Sequence, residues 1–250
     1  MSREMLNEKT WSSSAVKTAF VQKSAGMTYG GVFVKTIFFL AITVAMASVG
    51  WANADTFTGR GSGLLYLVGF MVLIGLCIAA VNNPRLALAA GLVYALLNGL
   101  WIGAISRFYE EVFAGIVGLA LLGTLAVCLG VLILFSVAGF RVTARGAQMI
   151  SVLVLGVALL YFAGWLLSLF GLRIDLLYGA TPGAILLSLL ILTLAASTLL
   201  VDLTFVEQGV RAGVPKAAEW YAAFGILSSI VWIYLEVLRL LARVAAARNR

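Results

Sequence analysis

Residues 183–206 read GAILLSLLILTLAASTLLVDLTFV, twenty-four residues with one charge, Asp202. As a helix rising ~1.5 Å per residue the stretch reaches about 36 Å, enough to cross a hydrocarbon core of roughly 30 Å. Backbone polar groups in lipid must be satisfied within the segment, so this stretch predicts a transmembrane helix. Six more apolar stretches meet the same criterion, at 30–52, 63–81, 86–106, 113–138, 148–171 and 220–243. The expected fold is an all-α membrane protein, a seven-transmembrane-helix bundle.

Composition agrees. Of 250 residues 63% are hydrophobic and 11% charged, and the mean hydropathy of +1.09 exceeds what a water-soluble core requires. Connections such as NNPR (82–85) and RFYEE (107–111) leave no room for a soluble domain. The expected organisation is a polar segment over 1–28, a membrane domain over 29–243 and a basic tail over 244–250. Residues 1–28 lack the apolar core and cleavage pattern of a signal peptide, so the first helix is expected to remain as an anchor. Cys77 and Cys128 fall inside apolar spans, where they behave as small hydrophobes.

The net charge of +7 is scattered over loops with no basic face or aromatic platform. It fits membrane topology and lipid headgroups rather than nucleic acid. With the N-terminus inside, Arg3, Lys9, Lys17, Lys23, Lys35, Arg85, Arg141, Arg145, Arg211 and Lys216 collect on the cytoplasmic side, against Arg60, Arg107 and Arg173 opposite. That bias predicts a multi-pass protein with a cytoplasmic N-terminus. Seven crossings place Arg239, Arg243, Arg248 and Arg250 on the far side, against the same rule.

In the third span, Gly91, Ala95, Gly99 and Gly103 recur every four residues, the pattern of close helix packing. Asn98 beside them reads either as an interhelical hydrogen bond or as part of a polar cavity, to which Glu207 is the other candidate. Intramembrane carboxylates are the stronger signal, because an unpaired charge costs at least ~2.5 to 3.5 kcal/mol there. Two fall inside the spans. Asp202 is expected ~6 Å from the cytoplasmic end of its helix and Glu236 ~24 Å along the next, too far apart to touch. Glu236 has Arg239 three residues on, on the same helical face. Asp202 has no basic residue within a helical turn, although Arg211 or Lys216 could fold back to it. It reads as a protonation switch or as a carboxylate reaching the interface.

Desolvation disfavours the charged form of a buried carboxylate. The chain has no histidine, so a response to physiological pH must come from such groups, with Asp202 first. The same absence removes Ser-His and Cys-His nucleophiles, His-metal sites and haem ligation. No phosphate loop, cysteine cluster or seventh-span lysine for a Schiff base is present, and no interrupted inverted repeat marks a transporter. The chain is expected to be non-enzymatic, without cofactor, and to pass or sense cations.

The segments ALLNGLWIGAISRFYE (95–110), LLVDLTFVEQGVRAGVPKAAEWYAAFGI (199–226) and VWIYLEVLRLLA (231–242) resemble the Bax-inhibitor family, in its bacterial YccA/YetJ-like branch. The resemblance runs from about Tyr29 to Ala242. It implies a seven-helix bundle around a central last helix and a pH-sensitive calcium leak. It also implies two aspartates on the last two helices in a proton-dependent interaction, and an arginine late in the last helix that helps to close the path. Asp202 matches the first aspartate and Arg239 the arginine. Ser229 stands where the second aspartate would, and Asn98 where the branch often carries an acid. The implied site has Asp202 as switch and transient calcium contact, Ser228 or Ser229 as its uncharged neighbour, and Glu236 with Arg239 as a second constriction. Calcium is then the permeant ion and the bilayer the surroundings. Bacterial relatives that modulate a membrane protease imply the competing reading, a regulator that binds a membrane partner without conducting. Proton-coupled cation exchange would use the same carboxylate stoichiometrically.

Overall fold

The structure, a computed structural model, describes residues 26–58, 69, 71–72, 75–76, 86–172 and 174–248. These form α1 (Tyr29–Ala52), α2 (Ala54–Thr58), α3 (Ala87–Val112), α4 (Ile116–Ser136), α5 (Ala144–Leu169), α6 (Asp175–Tyr178), α7 (Pro182–Arg211) and α8 (Ala218–Arg248).

The expected count of seven spans is corrected. Among the described residues six helices, α1, α3, α4, α5, α7 and α8, are long and apolar enough to cross a membrane. The span expected at 63–81 lies outside the described residues except for Gly69, Met71, Val72, Gly75 and Leu76. Cys77 lies outside them too, and Cys128 is a half-buried free thiol. The count of seven rested on apolar length, which measures transfer into lipid and does not test whether a stretch makes one continuous helix.

Three threonines set helix starts. Thr28, Thr143 and Thr181 hold extended backbone, and their hydroxyls accept from the amides of Gly31, Gly146 and Ala184, with Pro182 following the last cap. These are the preferred N-cap and first-turn chemistries. Ala212 caps the end of α7, and Gly213, at φ +64°, turns the chain while Val214 N donates to Gly209 O at 3.1 Å. A left-handed position there suits glycine. Met27 N donates to Val214 O at 2.8 Å, tying the start of α1 to this turn.

α7 and α8 run farther than apolar length indicated, to Arg211 and Arg248. Asp202 therefore stands nine residues before the end of α7, about 14 Å rather than ~6 Å. The extra turns carry Glu207 and Arg211, which hydropathy reads as loop and a helix accommodates as an i,i+4 pair.

α1 and α3 form the tightest contact. A Cβ added at Gly103 would stand 1.9 Å from Ala47 O, at Gly99 2.6 Å from Thr43 O, and at Gly50 2.0 Å from Leu100 O. The small-residue stripe is thus where two backbones meet, and Ala95 in the same stripe is fully buried. α8 packs on α1, α3, α4 and α7, and its side chains also reach α5 and α6. Its core face carries Leu227, Ile233 and Leu238, all nearly inaccessible.

Candidate functional site

Asp202 projects from α7 towards α8, where Gly225 and Ser229 face it. Ser229 Oγ lies 2.5 Å from Asp202 Oδ2 and 3.1 Å from Thr198 Oγ1. Thr198 donates in turn to Ala195 O at 2.7 Å. Gly225 lets the carboxylate lie against the α8 backbone, since a Cβ there would stand 2.9 Å from Asp202 Oδ1.

Hydrogen counting gives this row two states. Ser229 has one hydroxyl hydrogen, enough for one donated bond. With Asp202 protonated, Asp202 donates to Ser229, Ser229 to Thr198, and Thr198 to Ala195 O, so every contact carries a hydrogen. With Asp202 ionised, Ser229 must donate to the carboxylate, and Thr198 can bond Ser229 only by turning away from Ala195 O. Of the two serines named from sequence, Ser229 reaches Asp202. Ser228 donates to Gly225 O at 2.8 Å within its own helix.

The bases expected to fold back lie elsewhere. Arg211 Nη2 donates to Glu207 Oε1 at 2.7 Å, Arg141 donates to both oxygens of Glu207, and Lys216 is exposed. Glu207 thus sits in an ion cluster. Asn98 is buried within α3. A cleft of about 420 Å³ among α1, α3, α4 and α8 is lined by neither Asn98 nor Glu207.

Nearer the C-terminal end of α8, Glu236 is fully buried. Arg239 Nη1 donates to it at 2.7 Å, Trp232 Nε1 at 3.1 Å, and the Tyr161 hydroxyl of α5 lies 3.1 Å from Oε1. The Arg239 guanidinium also stacks 4.5 Å from the Tyr161 ring centre. Three donors, one of them a cation, satisfy the carboxylate, as burial demands. One turn on, buried Arg243 donates to Ala184 O at 2.5 Å, Ser188 Oγ at 2.6 Å and Leu177 O.

Sequence reading missed Tyr161, Trp232, Arg243, Thr198 and Glu219. Trp232 and Thr198 were accessible from helical spacing, each four residues before a singled-out acid. Glu219, fully buried at the start of α8, accepts from Thr28 N and Oγ1, each at 3.0 Å, and from Lys35. Its first-turn position suits an acid at a helix N-terminus, but the partners come from the other end of the chain.

Among the described residues Glu207, Glu219 and Glu236 each pair with a cation, and Asp202 has none within 4.0 Å. No cluster of three metal-ligating side chains occurs among them either. No curated protein and no solved structure matches the chain. The model of the Bax inhibitor 1 like family matches residues 5–246, and this multi-pass helical membrane protein therefore belongs to that family of non-catalytic membrane proteins.

Proposed function

We propose that the chain is a pH-responsive cation leak of the cytoplasmic membrane, with calcium as the permeant ion, Asp202 as the switch and the N-terminus on the cytoplasmic side. Within the family we place it in the bacterial YccA/YetJ-like branch. The observation that carries the reading is Asp202 itself, a carboxylate well inside α7 whose described partner is a neutral hydroxyl. A carboxylate in lipid without a counter-ion is costly when ionised. A proton relieves that cost, and so does a passing cation, which makes proton and calcium competitors for one group.

Ser229 lets Asp202 keep a hydrogen bond in either protonation state, and ionisation costs the row one bond further along, between Thr198 and either Ser229 or Ala195 O. Glu236 with Arg239 forms the second constriction, and Glu207 with Arg141 and Arg211 lies towards the other mouth of the same two helices. The test is calcium flux into dye-loaded proteoliposomes from pH 6 to 8, for wild type and Asp202→Asn. Flux that changes with pH in wild type and not in the variant is the expected result. Flux no greater than in empty liposomes at every pH would remove the leak.

One observation favours the second reading, a regulator that binds a membrane protease or another membrane partner. α5 buries only Gly164 and leaves a long apolar face outside the bundle. A partner that copurifies equally with wild type and Asp202→Asn, from a protein that passes no calcium, would select this reading.

A further inference from the structure

The cleft of about 420 Å³ is open to the outside of the bundle, since Val44 and Leu121 in its wall are 64% and 54% exposed. Along α1 it runs from Leu40 to Trp51, about 16 Å at ~1.5 Å per residue. That is close to half of a hydrocarbon core of roughly 30 Å. Trp51 stands one residue before the end of α1, so the cleft spans one leaflet, from interface to midplane.

Its wall offers few free donors to a polar ligand. Thr43, Ser48 and Thr124 give their hydroxyl hydrogens to carbonyls of their own helices. Ser106 and Tyr234 share one 2.6 Å bond, which uses one of their two hydrogens and leaves one to donate. The lining is otherwise mostly aliphatic, which suits a hydrocarbon chain with a single acceptor near Ser106.

The rim beyond Trp51 is charged. Arg107 donates to Trp51 O at 3.2 Å and to Glu111 at 2.8 Å, with Asp55 3.9 Å away. Glu110 accepts from the amides of Gly115 at 2.6 Å and Val117 at 3.0 Å, and Val117 lines the cleft. Among the described residues two carboxylates, Glu111 and Asp55, face the one guanidinium, and Glu110 adds a third acid to the rim, held by backbone amides. That balance repels an anionic headgroup and attracts one that carries an ammonium beside its phosphate.

We propose that this cleft binds one acyl chain of an ethanolamine phospholipid. The phosphate meets Arg107, the ammonium meets Glu111 and Asp55, and the spare hydrogen of the Ser106–Tyr234 pair reaches the ester carbonyl.

Native mass spectrometry tests this on the full chain in detergent, exchanged against phosphatidylethanolamine or phosphatidylglycerol with identical acyl chains. Wild type should retain the ethanolamine lipid about five-fold better, the order of one headgroup charge at a membrane surface. Leu121→Trp, which fills the mouth, should abolish that preference, whereas Leu125→Trp, on α4 outside the cleft, should leave it intact. Asp55→Lys with Glu111→Lys should reverse it towards phosphatidylglycerol, and both residues are exposed, so this arm stands even if Leu121→Trp does not accumulate. Equal retention of both lipids by wild type, an unchanged preference after the charge reversal, or equal losses from the two tryptophan variants would each overturn the site.

Discussion

Arg243 Nη1 lies 2.6 Å from Ser188 Oγ, a contact between two buried residues of α8 and α7 with no carboxylate within 4.0 Å among the described residues. The guanidinium's other bonds also go to oxygen dipoles, Ala184 O and Leu177 O, so three of its five N–H groups are met without a counter-ion. One planar fork thus joins α8 to the first turns of α7 and to α6, a geometry lysine cannot reproduce.

Arg243→Met keeps the volume and removes the fork. α6 is four residues long and cannot hold itself, so it should loosen first. Hydrogen exchange over 174–184 should speed up at least about ten-fold, on loss of charge-assisted bonds worth ~1.5 to 3 kcal/mol each. Ser188→Ala should give a smaller change in the same segment.

Glu236 should discriminate between alanine and glutamine. Glu236→Ala leaves Arg239 and the indole of Trp232 without their acceptor, a loss of about 1 to 3 kcal/mol or more for buried polar groups. Glu236→Gln keeps one acceptor oxygen and the packing. Thermal midpoints in detergent should fall in the order wild type, glutamine, alanine; equal midpoints for all three would mean that the site contributes nothing to stability.

The glycines divide by what a methyl group would strike. Gly50→Ala and Gly103→Ala drive a Cβ into the backbone of the facing helix at 2.0 and 1.9 Å. Neither helix can yield locally, so about 1 to 3 kcal/mol or more should be lost. Gly91→Ala meets the Phe39 ring, which can turn, and should be milder. Gly118→Ala and Gly156→Ala meet nothing within 4 Å and should be neutral, all read from detergent melting curves.

What the sequence revealed and what it withheld separates along these residues. Apolar length located all six described membrane helices to within a few residues at most ends, since transfer into lipid dominates there. It misjudged ends such as Arg211, where an ion pair continues the helix, and gave seven spans where six are found among the described residues. Spacing of three or four residues exposed Glu236 with Arg239 and the stripe at Gly99 and Gly103. Contacts between helices far apart in the chain, Tyr161 with Glu236 and Lys35 with Glu219, have no local signal, because bundle geometry alone brings them together. Local geometry decided Arg211, because the continuation of α7 puts it on the face of Glu207 four residues back rather than near Asp202.

Lys35 and Glu219 should be coupled. The carboxylate is fully buried and the lysine side chain 14% exposed, with Nζ 5.0 Å from the Trp220 ring centre. Lys35→Met leaves a buried acid without its cation, and Glu219→Gln leaves the lysine without its acid. The double variant removes both charges and should recover part of the loss, giving a coupling within about 0.5 to 3 kcal/mol. Strict additivity in the four-variant cycle would rule the pair out as an energetic unit.

Gly225→Ala tests the Asp202 switch without touching a titratable group or a hydroxyl. The added methyl would stand 2.9 Å from Asp202 Oδ1 and 3.5 Å from Cγ, and the carboxylate is the free end of its side chain, so it can swing aside at little cost to the fold. Swinging aside breaks the 2.5 Å contact with Ser229 and with it the hydrogen-bonded row to Thr198 and Ala195 O. The variant should therefore melt close to wild type while its calcium flux loses or shifts its pH dependence, and Ser229→Ala should do the same by deleting the hydroxyl. Wild-type pH dependence in both variants would show that Asp202 responds to protons without this row, whereas a large fall in melting temperature for Gly225→Ala would place the contact in packing rather than in the switch.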